Sequence, residues 1–248
     1  MRHSYKTEAI VIRGRDLSER DRIVTFISPS EGKFDAVCKG AKKVVAKTSA
    51  RYEPLNMLKL SVTVGRNLDT VEQSELVTVF PEIRKTLEAT AQALYYLDII
   101  NRSLEKREEN HRIYNLVKKS LLLMEGGQEM DILTRAFEAK FLVLMGYKPV
   151  TDSCCVCGDP GGHLRVDFCR GGVICPKCSD LSGEGETSRI MPGTLQALKF
   201  LLKCRLDSLS TVKFHDRIGN ELKEVLRNMI EFNNPGAMAN RRCYDTLG

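Results

Sequence analysis

Between Cys154 and Cys178 the chain reads CCVCGDPGGHLRVDFCRGGVICPKC, which puts six of its nine cysteines into 25 residues. Two C-x-x-C pairs stand out there, Cys154 with Cys157 and Cys175 with Cys178, and 17 residues separate them. That spacing is the pattern of a four-thiolate zinc site. Two residues between paired cysteines allow a tight turn that aims both sulfurs at one ion. The N–H groups of the turn can then donate to the thiolates and moderate their charge. Gly158, directly after the second cysteine, permits such a turn. A closed set of four sulfurs at about 2.3 Å keeps no position open for water, so the expected role of a single Zn2+ is structural.

Other donors lie close by. Cys155 leaves one residue before Cys157, which strains a shared-metal turn; Cys169 stands alone ahead of Cys175; His163 lies in a glycine-rich loop. Cys155 and Cys169 read better as small apolar residues or bystander thiols. Four thiolates can also carry an iron–sulfur cluster, and either C-x-x-C can serve as a redox pair, although neither opens a βαβ unit. Zinc is the favoured reading.

These pairs need a frame to hold them. Residues 1–80 have an all-β pattern: EAIVIR (8–13), RIVTFIS (22–28), KFDAVCKG (33–40), MLKLSVTVG (57–65) and SELVTVF (74–80) are short, rich in β-branched residues and separated by turn residues. In the fourth, Leu58, Leu60, Val62 and Val64 alternate with Lys59, Ser61 and Thr63, as in a half-buried strand. Short strands in this number fit a closed barrel of the OB type, because closure removes exposed edges. From Pro81 the period becomes helical. Leu87, Ala91, Leu94 and Leu97 or Asp98 lie near one face; Ile113, Leu116, Val117 and Leu121 share a second; Leu133, Ala136, Phe137, Phe141 and Leu144 a third. Gly146 and Pro149 stop that run, and helical periodicity resumes over 191–204 and 218–232, with Ile218, Leu222, Val225, Leu226 and Met229 as a stripe. The expected protein is therefore a multi-domain α+β chain. An N-terminal OB-fold barrel (1–80) precedes an all-α domain (81–248), which a four-cysteine zinc-binding element (150–182) interrupts.

Charge narrows the function. The net charge of +6 is modest, but between Lys39 and Arg51 there are five basic side chains (Lys39, Lys42, Lys43, Lys47 and Arg51) and no acidic one. With Arg13, Arg15, Arg20 and Arg22 around the first loop, this run beside a barrel reads as a phosphate-tracking surface for DNA. Tyr5, Phe26, Phe34 and Tyr52 are the few candidates for base stacking, and Phe26 and Phe34 fit the core equally well, so binding should be mainly electrostatic. No H-E-x-x-H, G-x-S-x-G or G-x-G-x-x-G is present, and GAKKVVAKTS lacks the second glycine of a phosphate loop. The weight shifts from an enzyme to a binding protein. The start of the chain is too charged for a secretory signal and no apolar run would span a bilayer, which points to the cytoplasm. Two other readings compete: a zinc-stabilised interaction scaffold whose basic loop docks an acidic protein tail and touches DNA only indirectly, and a thiol oxidoreductase.

The chain as a whole, from about Tyr5 to Phe232, resembles the bacterial RecO family of recombination mediators in DNA repair. TEAIVIRGRDLSERDRIVTFISPSEGKFDAVCKGAKK, FEAKFLVLMGYKPVTDSCCVCG and GGVICPKC carry the resemblance. It implies an OB-fold, a helical domain and an inserted zinc element. It further implies binding to single- and double-stranded DNA, annealing of complementary strands, association with RecR and contact with single-stranded DNA-binding protein (SSB), so that RecA can be loaded. The family's basic loop corresponds to Lys39, Gly40, Ala41, Lys42 and Lys43, and its metal thiolates to Cys154, Cys157, Cys175 and Cys178. The segment from Val44 to Arg51 departs from the shorter basic-serine-arginine pattern of the family.

Overall fold

A computed structural model of the chain describes residues 4–41, 50–180, 183 and 186–234. It divides into two compact units, with the boundary between Glu125 and Gly126. The first is built on five strands: β1 (Ser4–Asp16), β2 (Arg22–Ser28), β3 (Gly32–Cys38), β4 (Met57–Thr63) and β5 (Asp69–Thr78). They close in the order β1-β2-β3-β5-β4. Every pairing is antiparallel except β3 with β5. This is the five-stranded barrel of the OB type.

Two strands differ most from the sequence expectation, each for a reason of pairing, while β3 and β4 each end two residues early and leave Val64 exposed beyond β4. β1 begins at Ser4 because its first half pairs with β4 (Ser4↔Thr63 to Ile10↔Met57) and its second half with β2 (Ile10↔Ile27 to Asp16↔Arg22), with a bulge at Val11/Arg13 where the strand bends. β5 begins at Asp69, earlier than the 74–80 run suggested. Its Glu72, Gln73 and Glu75 are exposed, so it lacks an apolar alternation and is held by its register with β4.

Inward residues of the strands, among them Ala9, Val11, Val24, Phe26, Phe34, Ala36, Leu58, Leu60 and Val62, fill the barrel. Phe26 and Phe34 stack with centroids 5.3 Å apart, a contact that contributes about 0.5–1.5 kcal/mol beyond area burial. Of the aromatic side chains weighed from sequence, Phe26 and Phe34 take the core alternative. Phe26 and Phe34 alternate inward with Val24 and Ala36 and are fully buried. Tyr52 is buried with its hydroxyl 2.8 Å from Ser74 Oγ, and half-buried Tyr5 donates to Asp69 Oδ2 at 2.8 Å.

Helices α1 (Leu87–Ser103) and α2 (His111–Glu125) belong to the same unit. The Thr86 hydroxyl caps α1, accepting from Ala89 N–H at 3.2 Å. Because α1 packs on β1 and α2 on β2, the outward residues Ile10 and Ile12 are buried as well. Leu87 is the exception to the expected helix face: it is 61% exposed, being the first helical residue, whereas burial begins at Ala89. On α2, Tyr114 OH and Lys118 Nζ both donate to Glu8 Oε1, at 2.6 and 2.5 Å. The α1–α2 connection reaches back to the barrel as well. Lys106 Nζ donates to Asp35 Oδ2 at 2.7 Å, while the Arg107 guanidinium lies 5.1 Å over the Phe34 ring, donates to Tyr5 OH and Glu31 Oε2, and pairs with buried Asp69. Nothing in the composition of this connection singled it out, since charged loops are ordinarily just solvated.

In the second unit α3 (Met130–Leu144), α5 (Pro192–Lys203) and α6 (Asp216–Asn233) pack on one another. The stripe on α6 is buried at Leu222, Val225, Leu226 and Met229, with Ile218 half-buried at the start. Among these apolar residues lies a charged triad that periodicity concealed: Glu138 on α3 is fully buried, 3.0 Å from Arg135 and 3.3 Å from Arg227 on α6. Removing one member of such a buried pair costs about 3–5 kcal/mol because it strands the other's charge. At the end of α3, Gly146 takes φ +86 and its N–H bonds Val143 O, while Tyr147 N–H bonds Leu142 O. That is a Schellman stop, and it directs the chain out of the helix toward the cysteines.

Candidate metal centre and nucleic-acid interface

The segment after α3 folds against a small sheet of order β7-β6-β8, comprising β6 (Arg165–Asp167), β7 (Gly172–Val173) and β8 (Thr187–Arg189). Val150 N–H bonds Gly171 O, Val173 N–H bonds Val150 O and Cys155 N–H bonds Val173 O, so the first C-x-x-C lies alongside β7. Gly172 is required for this approach: a Cβ there would stand 2.7 Å from Val150 O and 3.0 Å from Cys155 Cβ. The first cysteine turn is closed by Gly158 N–H to Cys154 O at 2.9 Å, with Gly158 at φ +74 as that turn demands. The second pair sits on the one-turn helix α4 (Pro176–Ser179), which Cys175 precedes and Pro176 starts; Cys178 N–H and Ser179 N–H bond Cys175 O. The β6–β7 hairpin thus folds the 17-residue spacer back on itself and brings the two pairs together.

The sulfurs of Cys154, Cys157, Cys175 and Cys178 all lie within 4.8 Å of one another. A tetrahedron with metal–sulfur bonds of about 2.3 Å has edges of about 3.8 Å. Cys157 Sγ and Cys175 Sγ are 3.8 Å apart. The donor set therefore fits one ion at its centre and is too tight for a multi-iron cluster. Burial raises the Cys154 thiol, but backbone N–H donors from Cys157, Cys175 and Val156 more than offset this and bring its pKa down to about 6. The neighbouring thiols Cys175 and Cys157 push Cys178 up to about 12, since a second anion beside the first is opposed. A central dication removes that opposition.

The rival donors stand apart from the set. Cys155 packs against it and is pushed up to about 11, by burial first and then by the charges of Asp167 and Cys154. Cys169 is exposed in the β6–β7 turn. His163 Nε2 lies 3.1 Å from Asp159 O and 3.3 Å from Asp159 Oδ2.

Of the basic residues read from the sequence, Arg13, Arg15, Arg22 and Lys39 lie on the last residues of β1, the start of β2 and the turn after β3, which pair toward one end of the barrel. Arg13 and Arg15 alternate on the outer side of β1 and are exposed, and Lys39 is exposed in the turn after β3. That turn and the β1–β2 loop are tied together by Gly40 N–H donating to Asp21 Oδ1 at 2.8 Å. Arg22 is engaged by protein carboxylates, 3.1 Å from Glu53 and 3.6 Å from Asp16. Arg51 donates to Ser74 O at 2.9 Å. Lys42, Lys43 and Lys47 lie outside the described residues.

Comparison with known proteins adds what geometry alone does not. The family described as Recombination protein O N terminal matches residues 1–80, and that described as Recombination protein O C terminal matches residues 84–241. The chain belongs to the RecO family. A DNA repair protein RecO from Pelotomaculum thermopropionicum is 32% identical over 229 residues, which is 92% of this chain and 88% of that protein. One from Symbiobacterium thermophilum is 31% identical over 248 residues, covering 98% of this chain and 97% of that protein. A relative in Listeria innocua is 28% identical over 226 residues, 91% of this chain and 86% of its own length. As a family member the chain has a role in DNA repair and recombination. Among the described residues no helix is long and apolar enough to cross a membrane.

Proposed function

We propose that this RecO-family protein is a cytoplasmic, nucleoid-associated recombination mediator of the RecF pathway. It binds single- and double-stranded DNA, anneals complementary strands and, with RecR, helps load RecA on DNA coated by SSB. The supporting observation is a closed OB barrel whose rim presents Arg13, Arg15 and Lys39, and Lys42, Lys43 and Lys47 follow Lys39 in the sequence. Arg22 and Arg51 contribute by shaping that rim through Glu53 and Ser74. The reaction needs no acid or base from the protein, because base pairing supplies the free energy once phosphate repulsion between strands is screened. The protein is on this reading not an enzyme. One Zn2+ held by Cys154, Cys157, Cys175 and Cys178 ties the hairpin element together and takes no part in the chemistry.

A salt-titrated binding and annealing assay on complementary oligonucleotides tests this. Each lysine withdrawn from a single-strand phosphate lowers the log–log salt slope by about 0.7, so changing Lys39, Lys42, Lys43 and Lys47 to Ala should lower it by about 3 and slow annealing at low salt. Unchanged affinity and slope would remove the barrel rim as the DNA surface.

A further inference from the structure

Helix α5, PGTLQALKFLLK, contains no acidic residue. Thr194, Leu195, Ala197, Leu198, Leu201 and Leu202 are buried and form its inner side. Gln196, Lys199, Phe200 and Lys203 occupy the remaining arc, about 100° wide at 3.6 residues per turn. Lys199 is half-buried and the other three are exposed, Phe200 to 40%. The segment that follows the Gly146 stop lies beside this face: Lys199 Nζ is 2.7 Å from Asp152 Oδ1. The hydrogen bond and charge of Lys199, followed by the charges of Lys203 and Lys148, hold the Asp152 carboxyl below the usual carboxylate range. One carboxylate among three ammonium groups leaves a net charge of +2. Tyr147, next to Lys148, is 40% exposed.

We infer that the outer face of α5, with Tyr147 and Lys148 beside it, is a binding surface for single-stranded nucleic acid in the second unit, built from residues none of which belongs to the barrel. The lysines meet the phosphates, and the rings of Phe200 and Tyr147 supply the flat faces on which unpaired bases stack, each such stack stabilising by about 1–3 kcal/mol. A duplex offers the phosphates but hides its base faces. An acidic peptide satisfies the lysines and leaves both rings without a stacking partner. Asp152 acts through Lys199, fixing that ammonium group on the face.

The chain contains no tryptophan, so Phe200→Trp places a single indole on this surface. In the full-length protein, titration with an oligodeoxythymidylate should quench the indole emission saturably, and a duplex of equal length should not. Adding Lys148→Gln and Lys203→Gln should lower the salt slope of the quench by about 1.4. Arg13→Ala with Lys39→Ala in the barrel should leave the quench in place, which separates this surface from the one proposed for the rim. Oligonucleotide that binds by anisotropy without changing the emission would overturn the inference. Quenching by a polyglutamate peptide alone would assign the face to an acidic protein partner instead. Photo-crosslinking of the unaltered chain to a 5-iodouracil oligonucleotide gives the same answer without a substitution: adducts on Tyr147 or Phe200 support the surface, and adducts confined to barrel residues reject it.

Discussion

Cys157 is the exposed member of the four-sulfur set, whereas Cys154, Cys175 and Cys178 are buried. Its replacement therefore tests coordination with little disturbance of packing. Cys157→Ser should weaken zinc retention against a competing chelator by well over the roughly 10–100-fold that loss of a supporting hydrogen bond causes, with a lower melting temperature. Cys169→Ser should keep one zinc per chain by elemental analysis. On the barrel, burial raises the Asp35 carboxyl, but hydrogen bonds from Lys106 and Thr25 outweigh it and hold the pKa below the ordinary value. A depressed folded-state pKa contributes stability that is fully present above the unfolded value near 3.9 and is lost as pH falls through the lower folded one. Asp35→Asn should thus cost about 1–2 kcal/mol at neutral pH, measured by urea unfolding, and the gap from the native protein should shrink below about pH 4. Neither the Asp35–Lys106 nor the Asp69–Arg107 pairing was legible in the sequence, because the partners are 71 and 38 residues apart and follow no period.

At the scale of elements, the four-cysteine cluster depends on a hairpin of very short strands: β6 has three residues and β7 two. Strands of that length do not hold a register alone, and the main-chain bonds of Val150 and Cys155 to β7 complete it. Gly172→Ala would force Val150 and Cys155 away from β7 and should cost about 1–3 kcal/mol. The same variant should also bind zinc more weakly, read by chelator competition, since the first cysteine pair would move from the second. The C-x-x-C spacing foretold that the pairs meet. It did not foretell the hairpin, whose strands are too short to leave an alternating pattern.

Across the whole molecule two units carry separate cores, one around Phe26 and Phe34 in the barrel, the other among α3, α5 and α6. A metal site confined to the second unit should act locally. Removing zinc with a strong chelator should speed amide hydrogen exchange in Cys154–Gly158, β6, β7 and α4, while the amides of β2 and β3 keep their protection. Loss of protection in the barrel strands on chelation would show that the metal supports both units. Exposed basic residues lie in both units, Arg13, Arg15 and Lys39 in the first and Lys148 and Lys203 in the second, which a single net charge of +6 conceals.

Local spacing along the chain is enough to identify the four cysteines that cluster, the barrel class and the helical faces: two residues between thiols, alternation of two, or a period near 3.6. Family membership is equally legible, through stretches such as FEAKFLVLMGYKPVTDSCCVCG. Only folding turns Phe26 and Phe34 inward, sets Arg22 and Arg51 against protein groups, and joins α3 to α6 through a buried Arg135–Glu138–Arg227 triad. It likewise gathers Lys148, Lys199 and Lys203 around Asp152. One cause is common to all of these. A charge or ring takes its role from the partners that folding brings to it, and those partners are fixed by the packing of distant segments.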